Sequence, residues 1–129
     1  MPFKRTSSIG FVPRWNFIAF EDISAGDFVN IIEEDGQAMV RKADASKKIA
    51  AHGFVENEAP KGNKIDVCFF GINQDLRGLS LGSTYFLSAT PGKCDVTPSE
   101  VGSGNIAQEL GFAITSSCLV FRPGADIQL

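Results

Sequence analysis

Apolar and polar positions alternate most clearly at residues 65–70. Ile65, Val67 and Phe69 fall on one face, and Asp66, Cys68 and Phe70 on the other. A period of two predicts a strand with one strongly apolar face. Shorter β-type runs occur along the rest of the chain. Residues 17–20 (Phe-Ile-Ala-Phe) and 28–32 are rich in aromatic and β-branched side chains, which fit a pleated surface. Asp35-Gly36 then predicts a tight hairpin, because that turn needs positive φ where Gly is unhindered. Residues 38–42 form the returning strand. Further strands are expected at 51–56, 84–87, 111–114 and 118–121, the last two flanking Thr115-Ser116-Ser117. Pro91-Gly92 fits the centre of a type II turn.

The intervening segments are less regular. Residues 43–50 are Ala- and Lys-rich and predict a loop with a helical bias. Residues 58–63, 71–83 and 96–104 read as loops, and 122–129 as an extended tail. By propensity alone, 105–110 would pass for a helical turn. Residues 1–16 show no period, and Pro2, Pro13 and Ser7-Ser8 argue against a helix there. The pattern predicts an extended arm at 1–16 and a β domain at 17–129. With about eight short strands and a turn signal every 8 to 12 residues or so, the expected architecture is all-β: one small β-sandwich or barrel-like domain.

Composition supports a core of that kind. The chain has 129 residues, 43% of them apolar, including 11 Phe, enough for a single domain that folds without metal or disulfide. Three Cys (Cys68, Cys94 and Cys118) are an odd number and lie 26 and 24 residues apart. The expectation is reduced, partly buried thiols. Basic residues at the start lack the apolar run of a signal peptide, and no stretch approaches the roughly 18 apolar residues of a bilayer span. A soluble protein made in a cytoplasm is expected. Net charge is −3, but residues 1–20 carry +3 through Lys4, Arg5 and Arg14, and the remainder carries −6. A basic leader on an acidic body suits docking on an acidic neighbour.

Candidate chemistry is sparse. His52 is the single histidine, placed by the pattern in a strand on the face of Phe54. It has no G-x-S-x-G partner, and the Cys spacing contains no C-x-x-C zinc motif. The acids of Glu33-Glu34-Asp35-Gly36 are adjacent rather than alternating, unlike a calcium loop. Glu56 and Glu58 form a carboxylate pair of a common, inert kind. Gly102-Ser103-Gly104 lacks the Lys of a phosphate loop. No catalytic residue, metal ligand or cofactor is expected, and a basic patch with interleaved aromatics for nucleic acid is lacking.

Six phrases recur in an informative order: ISAGDFVNI at 23–31, VRKADAS at 40–46, AHGFV at 51–55, VCFFGIN at 67–73, GLSLGSTYFLSATPG at 78–92 and IAQELGFAIT at 106–115. This series, covering about residues 17–121, resembles a small β domain of tailed-phage virion proteins, found in capsid decoration (cement) proteins and in tail-fibre or baseplate-associated proteins. The resemblance implies a strand rather than a helical turn near 106–111. It implies a non-enzymatic decoration protein on the capsid surface, bound to the major capsid protein and forming a homo-oligomer, a trimer being favoured. No nucleic acid or membrane partner is implied. The alternative is a tail-fibre or baseplate module that binds a host glycan or another tail protein. Phe3, Lys4, Arg5, Phe11, Arg14 and Trp15 are the candidate partner-binding residues, the aromatics serving as anchors. An arm of 16 residues reaches up to about 50 Å when extended.

Overall fold

A computed structural model describes residues 14–98, 104–124 and 127–128. Among the described residues the chain is all-β, with twelve strands: β1 (Arg14–Ala19), β2 (Phe28–Glu34), β3 (Gln37–Lys42), β4 (Gly53–Val55), β5 (Lys64–Cys68), β6 (Gly71–Asn73), β7 (Thr84–Leu87), β8 (Cys94–Asp95), β9 (Ile106–Ala107), β10 (Glu109–Ala113), β11 (Leu119–Phe121) and β12 (Ile127–Gln128). Five of them close a barrel in the order β1-β3-β2-β4-β5, and β5 returns to β1. The β1–β3 pair is parallel, and the other barrel pairs are antiparallel. A second, antiparallel sheet has the order β6-β11-β10-β7-β8, and β12 pairs with β9.

Local chemistry accounts for the turns. Asp35 and Gly36 both take positive φ, 51° and 79°, and the flanking Glu34 and Gln37 pair directly. That is the two-residue hairpin expected from Asp-Gly. Gly92 has φ 79°, as the second position of a Pro-Gly turn requires. In the Ala- and Lys-rich segment a single 3-10 turn forms at Ala45–Lys47. Asp44 caps it, accepting hydrogen bonds from the Ser46 amide at 2.9 Å and the Ser46 hydroxyl at 2.6 Å.

Two cores result, and three barrel strands serve both. Val29, Val40, Val55, Ile65, Val67 and Phe17 fill the barrel. Phe28, Phe54 and Cys68, each next in sequence to one of those valines, point the other way. They meet Leu87, Leu110, Leu119 and Phe121 from the second sheet. The rings of Phe28 and Phe54 lie 5.8 and 5.4 Å from that of Phe121. Burying each such side chain contributes about 1.5–3 kcal/mol.

Buried polar side chains tie the layers together. Gln108 donates to the Ala51 carbonyl at 2.9 Å and accepts from the Ala51 amide at 2.7 Å. Asn73 donates to the Gly26 carbonyl at 2.9 Å. Asp27, fully buried, accepts from the Ser24 amide at 2.9 Å and from Lys93 Nζ at 2.8 Å. A Cβ on Gly92 would stand 2.9 Å from the Asp27 carboxyl carbon, so glycine is needed there for room as well as for φ.

Several expectations are corrected. The strand count exceeds eight because short pairs such as β8 and β9 carry too little pattern to register. β1 starts at Arg14, three residues inside the expected arm, because Arg14, Trp15 and Asn16 pair with Cys68, Val67 and Asp66. β6 lies in the segment expected to be a loop. His52 precedes β4 and is exposed, whereas Phe54 is buried. Phe69, placed on the strongly apolar face, is only half-buried, while Cys68 on the opposite face is buried. The strand reading of 106–111 holds: residues there belong to β9 and β10.

Candidate partner-binding surface

His52, the natural candidate for acid–base chemistry, has its Nδ1 engaged, accepting a hydrogen bond from the Ile31 amide at 2.9 Å. Its own amide donates to the Val29 carbonyl at 2.7 Å. Both contacts bind the 51–53 segment to β2, which is a structural task. Among the described residues no group of three or more His, Cys, Asp or Glu side chains is placed to hold a metal. The three cysteines are free thiols. Burial pushes the Cys94 thiol up to about 11, with the Asp95 carboxylate adding to the shift. Burial also raises Cys68, and Glu56 contributes. Thiols held up in this way are poor nucleophiles at neutral pH. No helix among the described residues is long and apolar enough to cross a membrane.

Of the expected partner-binding residues, Phe3, Lys4, Arg5 and Phe11 lie outside the described residues. Arg14 and Trp15 sit together at the start of β1. Trp15 shares a strand face with Phe17 and Ala19. Those two are buried in the barrel, but Trp15 is 59% exposed, which places the indole at the barrel rim. Arg14 Nη1 lies 3.0 Å from Glu56 Oε1, both side chains half-exposed. Parallel pairing of β1 with β3 brings the Asp35-Gly36 hairpin to the same end of the barrel. Glu33, Glu34 and Asp35 are exposed there, so acids flank the point from which the basic leader departs.

Among the described residues, concavities border the second sheet, and two of them have mixed apolar and charged linings. The first, about 600 Å³, is a groove lined by Phe70, Glu109, Gly111, Phe112, Arg122, Pro123 and Gly124. Its shape follows from β10. The register shifts between Glu109 and Gly111, a bulge that bends the strand. Gly111, at φ 145°, comes so close to β11 that a Cβ would sit 1.8 Å from the Val120 carbonyl oxygen. The other wall is held by the Arg122 and Gly124 amides, which donate to the Leu110 and Glu109 carbonyls at 2.8 Å each. The second, about 410 Å³, lies between residues 75–79 and β8, with Asp75, Arg77, Lys93 and Asp95 among its lining residues and Tyr85 and Cys94 in its wall. The Tyr85 hydroxyl accepts from the Ser80 amide at 2.8 Å, which fixes the ring.

Sequence reasoning singled out Arg14 and Trp15, as part of an arm, and did not single out the groove. The groove's signal was present as Gly111 between Leu110 and Phe112 and as Pro123-Gly124. These residues come together through the β10–β11 pairing, which is not visible in a local window.

No family model and no curated protein sequence matches the chain. Among solved structures, the head fiber gp8.5 N base of bacteriophage phi29 is similar, with a TM-score of 0.59 and 13% identity over 84% of this chain and 92% of that one. At that identity the likeness is one of fold.

Proposed function

We propose that this chain is a structural protein of a bacteriophage particle, acting as a capsid decoration protein that binds and stabilises the major capsid lattice. The observation that carries the reading is the fold shared with a phage head-fiber base over most of both chains. The ordered phrases from ISAGDFVNI to IAQELGFAIT support it. So does the architecture, a barrel and sheet locked by two cores and by buried Asp27, Asn73 and Gln108. A lattice stabiliser works through rigidity and buried contact area, and aromatic and Arg anchors contribute most of such binding energy. In this reading the leader, with Phe3, Lys4, Arg5 and Phe11, and the rim, with Arg14 and Trp15, contact the major capsid protein. The protein is made in the host cytoplasm, joins the capsid surface as a homo-oligomer, a trimer being favoured, and works without substrate, cofactor, nucleic acid or membrane.

Electron microscopy of purified particles tests the assignment. The expected result is density for this chain on the head, and density confined to the tail overturns it. Removal of residues 2–13 stops short of β1, so the body should fold while occupancy on the particle falls. Unchanged occupancy would rule out docking through the leader.

The cleft bounded by Asp75, Arg77, Lys93 and Asp95 favours a second reading, a tail-fibre or baseplate module. Carboxylates and cations around a fixed tyrosine suit the hydroxyls of a host glycan. Binding of the isolated protein to a glycan array, lost on Arg77→Ala, would support that reading over the first.

A further inference from the structure

We infer that two copies of this chain join head to tail, the acidic β2–β3 hairpin tip of one seated in a basic concavity at the far end of the same hairpin on the other. The concavity holds about 270 Å³, with Phe20, Ile49 and Pro91 on its apolar side and Arg41, Lys42 and Lys47 on its basic side. Its two carboxylates are engaged by backbone amides. Glu21 accepts from the Lys42 amide at 2.9 Å, and Asp44 caps its own turn. The ion pairs among the described residues are Arg14–Glu56 and Lys93–Asp27, so Arg41, Lys42 and Lys47 have no ion-paired carboxylate. Arg41 Nε donates to Asn30 Oδ1 at 3.0 Å, which orients the guanidinium and leaves its terminal N–H groups for a partner. Phe20 is 39% exposed, an apolar side chain beside unpaired cations.

The molecule itself displays the complementary charge. Glu33, Glu34 and Asp35 are exposed at the hairpin tip, and the same two ion pairs leave them without a cation. The turn is narrow, with only Asp35 and Gly36 between the paired Glu34 and Gln37. A copy cannot seat its own tip. The Val29–Lys42 pair lies at the concavity and the Glu34–Gln37 pair at the tip, five residues apart, about 17 Å along the strands. Both strands are fixed in the closed barrel, so the tip must seek a second copy. Contact between unlike patches closes a ring or runs on as a filament. The opposed charges steer the encounter and fix its register. The inference deepens the homo-oligomer of the proposed function and rests on that part of it, not on a place on the particle.

Sedimentation of the purified full chain tests the contact. The chain should associate at about 0.1 M salt and dissociate more readily at about 1 M, where the screening length falls from roughly 10 Å to roughly 3 Å. Glu33→Lys with Glu34→Lys, and separately Lys42→Glu with Lys47→Glu, should each raise the dissociation constant about tenfold or more by placing like charges together. The chain carrying all four changes should associate again, because tip and concavity then match with their signs exchanged. Circular dichroism checks the fold of each variant, and Lys47→Glu alone, at an exposed turn residue, replaces the pair if the Lys42 change unfolds β3. Association indifferent to salt and to both reversals would overturn the contact and leave the homo-oligomer standing, as would a fourfold variant that stays apart. A wild-type chain that is monomeric at low salt would overturn the contact and the homo-oligomer together, while particle microscopy still reads the capsid assignment.

Discussion

The barrel closes each of its strand edges on a neighbour, whereas the second sheet ends on two short strands, β6 and β8. The barrel also encloses its own core, with Phe17, Val29, Val40, Val55, Ile65 and Val67 inside. The sheet has no such enclosure. Its buried face is completed by Phe28, Phe54 and Cys68, which belong to the barrel strands. The dependence therefore runs one way. The sheet needs the outer face of the barrel to bury Leu87, Leu110, Leu119 and Phe121, and the barrel interior does not draw on the sheet. Closure removes edges and the associated risk of wrong pairing, while the open sheet carries the β10 bulge beside the groove.

The asymmetry can be broken most severely at Gly111. Gly111→Ala would place a methyl 1.8 Å from the Val120 carbonyl oxygen at φ 145°, so β10 and β11 would have to separate. We expect a loss of about 4 kcal/mol or more, combining backbone strain with lost packing. Gly36→Ala, with positive φ but nothing within 4 Å, should cost only about 1–2 kcal/mol. Urea unfolding of the two variants measures the difference, and equal losses would show that the close approach does not matter.

Phe121→Ala comes next. It removes the ring that contacts both Phe28 and Phe54 and should cost about 3–5 kcal/mol. Hydrogen exchange should rise in β7, β10 and β11 before it rises in β1 and β5. Equal acceleration in both regions would contradict the one-way dependence.

Lys93→Met tests the electrostatic tie between the regions. It leaves the buried Asp27 carboxylate with the Ser24 amide but without its cation. Because Lys93 is half-exposed, water offsets part of the loss, and about 2 kcal/mol is expected in chemical denaturation. A double change with Asp27→Asn should recover part of it.

The smallest effect is expected at Phe69. Its ring stands edge-on to Phe17 with centroids 6.3 Å apart, but it is half-buried. Phe69→Ala should cost about 1–2 kcal/mol, below the range for a fully buried Phe. A loss near that of Phe121→Ala would show that the barrel end is sealed more tightly than its exposure indicates.

Much of this architecture was legible locally. Asp35-Gly36 and Pro91-Gly92 carried their own φ requirements, and both turns formed. Phe28 to Ile32 and Ile65 to Val67 gave strands where pattern placed them. The misses share a cause. Phe69 was placed on the strongly apolar face because alternation marks one buried side, but at Val67 and Cys68 strand β5 is covered on both sides. Propensity alone favoured a helical turn near 105–110, whereas the strand that the resemblance implied is the one that forms, through pairing of β9 with β12 and of Glu109 with Phe86 of β7. Arg14 and Trp15 were read as arm because their pairing partners stand more than fifty positions away.

The sequence alone determined the class of the fold, the turns and the sign of the leader's charge, since each depends on neighbours in the chain: a Gly that tolerates positive φ, side chains that alternate, and Lys4 and Arg5 without a nearby acid. Tertiary structure alone decided that β1 lies parallel to β3, that Phe54 and Val55 serve different cores, and that Phe70, Phe112 and Pro123 border one groove. Those outcomes depend on which distant segments share a hydrogen-bonded edge, and apolar burial, being without direction, leaves that choice to the pairing of the whole chain.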